Sequence, residues 1–323
     1  MKTCLRALVG AILSLVVGAD FAAAQAWPTR PITLVVPFSP GVTSDVIARG
    51  LGEHVSAALG QQVVVENRGG AGGNIGAAAV ARAEPDGYTL LLATTAQAAT
   101  NKLMYKSMSY DPQRDFTPVV LLGKAPVVIT AGQKFPGKDL AEAIALAKAH
   151  PDKLTAGFPG SGTLGHITGI LLQQKAAIKL AEAQYRGTGA IITDLLGGHI
   201  DLAMDSIGGY VPTVKDGQLR ALAIASAQRW PLLPDVPTVA ESGIPGFEAS
   251  VWYALLAPAK TPPTIIARLN AEVNVYLAQP HTRAFLENLG IAPAGGSTGE
   301  LAQFTAAEIE KWGPIIKAAE IKF

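Results

Sequence analysis

Cysteine is nearly missing from this chain: its 323 residues include one, Cys4. Cys4 falls in an N-terminal stretch with the features of a cleaved leader. The mature chain is therefore expected to hold no thiol, which excludes disulfides, iron–sulfur clusters and a cysteine nucleophile. Charge is scarce as well. Only 16% of residues are Asp, Glu, Lys or Arg, the formal net charge is +1, and there is no basic block. Nucleic acid and anionic membrane surfaces are thus poor partners. Metal signatures are absent too. His54, His150, His166, His199 and His281 show neither H-x-x-x-H nor H-x-x-E-H spacing, and no carboxylate cluster accompanies them. Ser161 lacks the flanking glycines of a nucleophile elbow, since Pro159 and Thr163 stand two residues to either side.

What the chain does contain is apolar and turn-rich: 49% hydrophobic residues, 34 Gly and 22 Pro. That composition describes a folded protein with length for two lobes. At the N-terminus Lys2 and Arg6 precede an apolar run over residues 7–17, followed by small residues up to Ala26. This is the pattern of a secretory signal peptide, with cleavage after Ala26 or Ala24. The run is shorter than the ~20 residues a spanning helix needs. Loss of Lys2, Arg6 and Asp20 from the 26 basic and 25 acidic residues leaves 24 of each in the mature chain.

Val-, Ile- and Leu-rich runs then alternate with helical patterns. Strands are expected over residues 32–38, 62–66, 89–94, 119–130, 153–158, 183–185, 201–205, 219–225 and 250–258. Helices are expected between them, and three more at 263–277, 280–289 and 298–319. Such alternation predicts an α/β fold whose mainly parallel sheets are flanked by helices. Proline- and glycine-rich stretches near 126 and 230–250 suggest chain crossings. The expected organisation is a leader (1–26), lobe I (27–126 plus 250–323) and an inserted lobe II (127–249).

In parallel sheets ligands bind beyond the carboxyl ends of strands, where helix N-termini present free N–H groups. The loop after the first strand offers Phe38, Ser39, Gly41, Val42, Thr43 and Asp45. It fits either a carboxylate nest or an ordinary capped turn, with Ser44 or Asp45 as cap. Residues 67–76 are glycine-rich but miss the G-x-G-x-x-G spacing, so they are read first as packing glycines. Further loops bring Thr94, Thr95 and Ala96, then Phe158, Ser161, Gly162, Thr163 and His166, then Tyr185, Arg186 and Gly187, and finally Asp205. His166 is read as an orienting group ahead of a base. Arg186 suits a cleft that attracts anions and equally a surface ion pair. Asp45 and Asp205 are read as caps or partners of donors, because an unpaired buried carboxylate would repel an anion.

These loops occur in a recognisable order: Trp27-Pro28, Pro37-Phe38-Ser39-Pro40-Gly41 with Asp45, Val64-Val65-Glu66-Asn67-Arg68, Gly70-Ala71-Gly72-Gly73-Asn74, Pro85-Asp86-Gly87-Tyr88, Gly160-Ser161-Gly162-Thr163 with His166, Tyr185-Arg186-Gly187, Asp194-Leu195-Leu196-Gly197-Gly198 and Leu233-Pro234-Asp235-Val236-Pro237. In that order the chain resembles the solute receptors of tripartite tricarboxylate transporters, the Bug family of periplasmic binding proteins. The resemblance implies a two-lobed, type II-like binding protein that closes on a small carboxylate like a hinged trap. It also implies a monomer with no cofactor or metal and no enzymatic activity. The implied partner is a two-component membrane permease, or else a sensor protein. A secreted α/β hydrolase is the alternative of another class, and it lacks a Ser/His/acid set. Two departures stand out. Val42 replaces a second glycine usual after Pro-Gly, which alters the pocket if that position needs a positive φ. Phe158 stands where smaller residues are common, and is expected to line the body of an apolar ligand.

Overall fold

The computed structural model describes residues 27–318. The expected leader and its cleavage site lie outside the described residues. β1 (Ile32–Val36), α1 (Thr43–Leu59), β2 (Val63–Asn67), α2 (Asn74–Ala81) and β3 (Thr89–Thr94) open the chain. A π-helical turn, Ala96–Thr100, and α3 (Asn101–Met104) lead to the long strand β4 (Phe116–Gly132). Next come α4 (Leu140–Ala149), β5 (Thr155–Phe158), α5 (Leu164–Ala176), β6 (Ala181–Gln184), α6 (Thr188–Gly197), β7 (Leu202–Ser206), α7 (Val211–Lys215) and β8 (Leu219–Ile224). The chain returns through β9 (Ser250–Pro258), α8 (Pro263–Ala278), α9 (Pro280–Asn288), β10 (Ala292–Pro293) and α10 (Thr298–Ala318).

The strands form one path, β2-β1-β3-β9-β4-β7-β5-β6, with β8 and β10 also on β4. β1 is parallel to β2 and β3, and β5 is parallel to β6 and β7. Each section keeps the parallel core that strand–helix alternation implies. The antiparallel strands β4 and β9 join the sections, so the whole sheet is mixed. β4 has the length to do this because bulges near Pro118 and Leu121 bend it and remove the need for a proline N–H.

Local sequence explains the elements that carry the loops. β1 is apolar except for the half-buried Thr33 because helices cover both its faces. In α1, Ile47, Ala48, Leu51 and Val55 bury one stripe, and Gly60 ends the helix at φ 67°. One hydrophobic cluster gathers Leu34, Ile47, Leu92, Leu255 and Leu269 around β1, β3 and β9. Another gathers Ile129, Phe158, Ile167, Leu172 and Met204 around β5 and α5. Val251 of β9 packs against both. Among the described residues no helix is long and apolar enough to cross a membrane.

The turn Ile207–Gly209 after β7 packs on the backbone that follows α9. A Cβ at Gly208 would lie 1.9 Å from the Leu289 carbonyl oxygen. Since backbone cannot yield as a flexible side chain does, Gly208→Ala is expected to cost about 1–3 kcal/mol. A lower urea midpoint at unchanged slope would register it.

Candidate functional site

A cavity of about 580 Å³ opens between the two sections of the sheet. Its walls are the strand-to-helix loops together with β9. From the first section come Phe38 and residues 40–44, with Thr94, Thr95 and Ala96. From the second come Pro159, residues 163–165, residues 186–189, Asp205 and Ser206.

In the first loop Gly41 carries the positive φ, 84°, while Val42 sits at φ −77°, ψ 163°, which any residue adopts. Val42 is therefore accommodated without strain, and its side chain adds apolar surface to the wall. Asp45, in the first turn of α1, accepts from the Gly41 N–H (2.9 Å), Arg49 Nε (3.0 Å) and Asn67 Nδ2 (3.0 Å). Burial pushes its carboxyl up, but these donors together hold it below the ordinary value. Asp45 thus ties the loop and stays off the cavity wall. No side chain caps α1, so its first N–H groups, at Thr43 and Ser44, face the cavity without intrahelical partners.

α5 differs. Thr163 Oγ1 accepts from the His166 N–H and donates to the Gly160 carbonyl (2.7 Å), so the hydroxyl is already occupied. His166 is buried behind the loop: its Nδ1 accepts from the Gly162 N–H (3.1 Å), and its Nε2 lies 3.0 Å from Glu182 Oε2. An accepting Nδ1 puts the neutral ring's proton on Nε2, which donates to Glu182. His166 therefore bonds the 160–163 loop to Glu182 on β6 and lies off the cavity wall.

α6 is uncapped like α1. Gly187 at its N-terminus has no side chain, and Gly187, Thr188 and Gly189 all line the cavity. Beside them Arg186, exposed, makes no hydrogen bond or ion pair with another described residue, so the surface ion pair considered for it does not form. Across the cavity, Thr94 donates through both N–H and Oγ1 to Gln97 Oε1 (2.9 Å each), and Thr95 Oγ1 accepts from the Trp252 N–H (3.0 Å). The Thr94 hydroxyl serves the π-helical turn and the Thr95 hydroxyl ties its start to β9, and such turns recur at functional sites. The glycine-rich stretch is bound from the same turn. Gln97 Nε2 and Asn101 Nδ2 donate to the Gly72 carbonyl (2.8 and 3.0 Å), and a Cβ at Gly73 would strike the Gln97 amide. Its glycines permit packing.

Of the sequence candidates, Phe38, Gly41, Val42, Thr43, Thr94, Thr95, Ala96, Thr163, Arg186, Gly187 and Asp205 meet on the cavity wall. Ser39 and Ser161 are exposed on loops outside it. Gly162 and Tyr185 also lie off it. The Tyr185 hydroxyl donates to Asp194 (2.6 Å), and its phenol is pushed up to about 12 by burial and that carboxylate. Phe158 requires a correction: it is fully buried, its ring lies against Gly169 and edge-on to His166, and it contributes nothing to the wall. β5 alternates faces, so Phe158 points into the core.

Thr188 and Ser206, which close the same strand-end loops, are on the wall too, whereas sequence reasoning passed over Ile192, Val251 and Tyr253, also on it. Ile192 follows Thr188 by four residues and so shares its helix face. That spacing was available as a signal. Val251 and Tyr253 sit in an unbroken apolar strand, where no pattern separates a cavity-facing side chain from a core one. Tyr253 lies between Thr43 and Ser206, one from each section.

A family model described as the tripartite tricarboxylate transporter family receptor matches residues 47–321. The chain belongs to this receptor family. Among curated relatives, BugT of Bordetella pertussis is 35% identical over 321 residues, covering 99% of this chain and 98% of its own. A protein from the tcbD-tcbE intergenic region of Pseudomonas sp. strain P51 is 40% identical over 90% of this chain and 87% of its own. Solved structures agree in fold. An R. palustris protein with adipate superposes at TM-score 0.87 and 36% identity, covering 92% of this chain and all of that one. MatC of Rhodopseudomonas palustris with bound malate gives 0.83 and 35%, covering 90% of this chain and all of its own. The α/β architecture expected from the sequence is that of these periplasmic binding proteins.

Proposed function

We propose that this receptor captures a small carboxylate in the cavity, with lobe I (27–126 plus 250–323) and lobe II (127–249) closing over it. The observation that carries the reading is a pair of uncapped helix N-termini, α1 and α6, one from each section of the sheet, lining one cavity beside an unpaired Arg186. Unpartnered N–H groups and the positive ends of two helix dipoles favour an anion between them. Val42 and Ile192 add apolar wall for a carbon chain. Adipate and malate in the R. palustris relatives support the same ligand class. The expected leader places the mature protein in the periplasm, and a two-component membrane permease is the partner to which the ligand passes.

Thermal unfolding of the protein against a panel of carboxylates tests this. A ligand that binds only the folded state raises the melting temperature with concentration, by RT ln(1 + [L]/Kd) in free energy. Arg186→Gln is expected to weaken the binding about tenfold, equivalent to ~1.4 kcal/mol. A melting temperature unmoved by every carboxylate would refute the reading.

A further inference from the structure

The cavity that attracts anions also holds one acid. Among the described residues Asp205, at the end of β7, is the sole carboxylate on its wall, and only 6% of the residue is exposed. No cation among the described residues pairs with it. Thr188 Oγ1 donates to its Oδ2 and the Ser206 N–H to its Oδ1, both at 2.6 Å. Tyr210, following β7, and Tyr253, on β9, face it with phenols that burial and the Asp205 charge both hold above their ordinary value. Val128, its partner on β4, brings no charge. Arg186 shares the wall but makes no ion pair with it. The group is thus a desolvated acid with neutral neighbours.

Thr188 fixes its place relative to a ligand. The residue sits in the first turn of α6, at the uncapped N-terminus proposed to hold a carboxylate, while its hydroxyl is spent on Asp205. A carboxylate seated there lies next to Asp205, and two desolvated carboxylates side by side do not both stay ionised. Resting on the carboxylate reading above, we infer that capture takes up one proton from solvent, which Asp205 holds and donates to a ligand oxygen as an O–H···O⁻ bond.

The direction of the pH dependence follows. Burial already raises the Asp205 carboxyl from 3.8 to about 6 in the ligand-free protein, against the pull of its donors. A neighbouring anion raises it further. Between those two values the complex holds one more proton than the free protein, so affinity falls as pH rises above about 6, by at most about tenfold per pH unit. Asp205→Asn removes both the charge and the titration.

Calorimetry of the purified protein with adipate, malate and acetate as probes, at pH 7 in phosphate and in Tris, counts the protons taken up. The expected results are a buffer-dependent heat giving an uptake approaching one proton per site, and a Kd that weakens from pH 6 to pH 8. For Asp205→Asn a Kd flat over that range is expected, tighter than wild type at pH 8. Binding with buffer-independent heat and a pH-independent Kd in the wild-type protein would overturn proton uptake and leave the carboxylate reading standing. A cavity that takes none of the three probes would count against that reading itself, and this inference falls with it.

Discussion

Phe158→Ala is expected to lower the free energy of unfolding by about 3–5 kcal/mol while leaving affinity for a cavity ligand unchanged. The ring is fully buried among Ile129, Ile167, Leu172 and Met204, and its edge stacks on His166 with centroids 5.4 Å apart. Truncation removes the apolar transfer energy of the ring and leaves a void that α5 can collapse into only partly. Gly169, which has no side chain because the ring occupies that space, cannot fill it. The loss corresponds to a fall in melting temperature on the order of 10 °C. Urea unfolding measures the first effect, and the ligand-induced rise in melting temperature measures the second. The alternative role, a ring lining the ligand's body, predicts the reverse: weakened binding at small cost in stability. One variant separates the two.

Phe158 also marks where the sequence stops being informative about the site. The strands and helices were legible because apolar runs, turn residues and N-terminal prolines recur in register with βα units, and the loops at strand ends were legible as the place for a ligand. Loop position does not reveal which way a side chain points. Phe158 closes a strand and turns inward, whereas Arg186, two residues beyond the next strand, lines the cavity. Asp45 and Asp205 look alike in sequence, each an acid near a strand end. Asp45 meets Arg49 and Asn67, whereas Asp205 meets only neutral donors on the cavity wall, and that difference depends on residues 4, 22 and 17 positions away. The crossing strand β9 is the least legible part. Its side chains Val251 and Tyr253 reach the cavity only because β4 and β9 join the two sections.

Those crossing strands are braced from behind by α10, and the brace predicts a second large effect. Glu308 Oε2 accepts from the indole N–H of Trp252 on β9 and from that of Trp312 on α10, each at 3.1 Å. Trp252 belongs to the cluster that includes Leu91 and Leu256, while Trp312 lies in the cluster of Ile129 and Phe158, so a single carboxylate oxygen ties a strand of one core to a helix side chain buried in the other. Lys311 Nζ is 3.7 Å from Glu308 Oε1, and Lys124 lies 3.9 Å from the centre of the Phe304 ring nearby, so charge around the carboxylate is balanced. Glu308→Ala orphans two buried indole donors at about 1–3 kcal/mol each, so a total loss of about 2–6 kcal/mol is expected. Glu308→Gln keeps an acceptor oxygen and should recover much of it. Because Trp252 immediately follows Val251 of the cavity wall, the same substitution should loosen the strand on which the two sections meet. Tryptophan emission shifted to the red in the folded Glu308→Ala protein, with a lower urea midpoint, is the expected result. Unfolding energies equal to wild type for both variants would mean that the indole bonds add nothing net and that packing alone holds α10 in place.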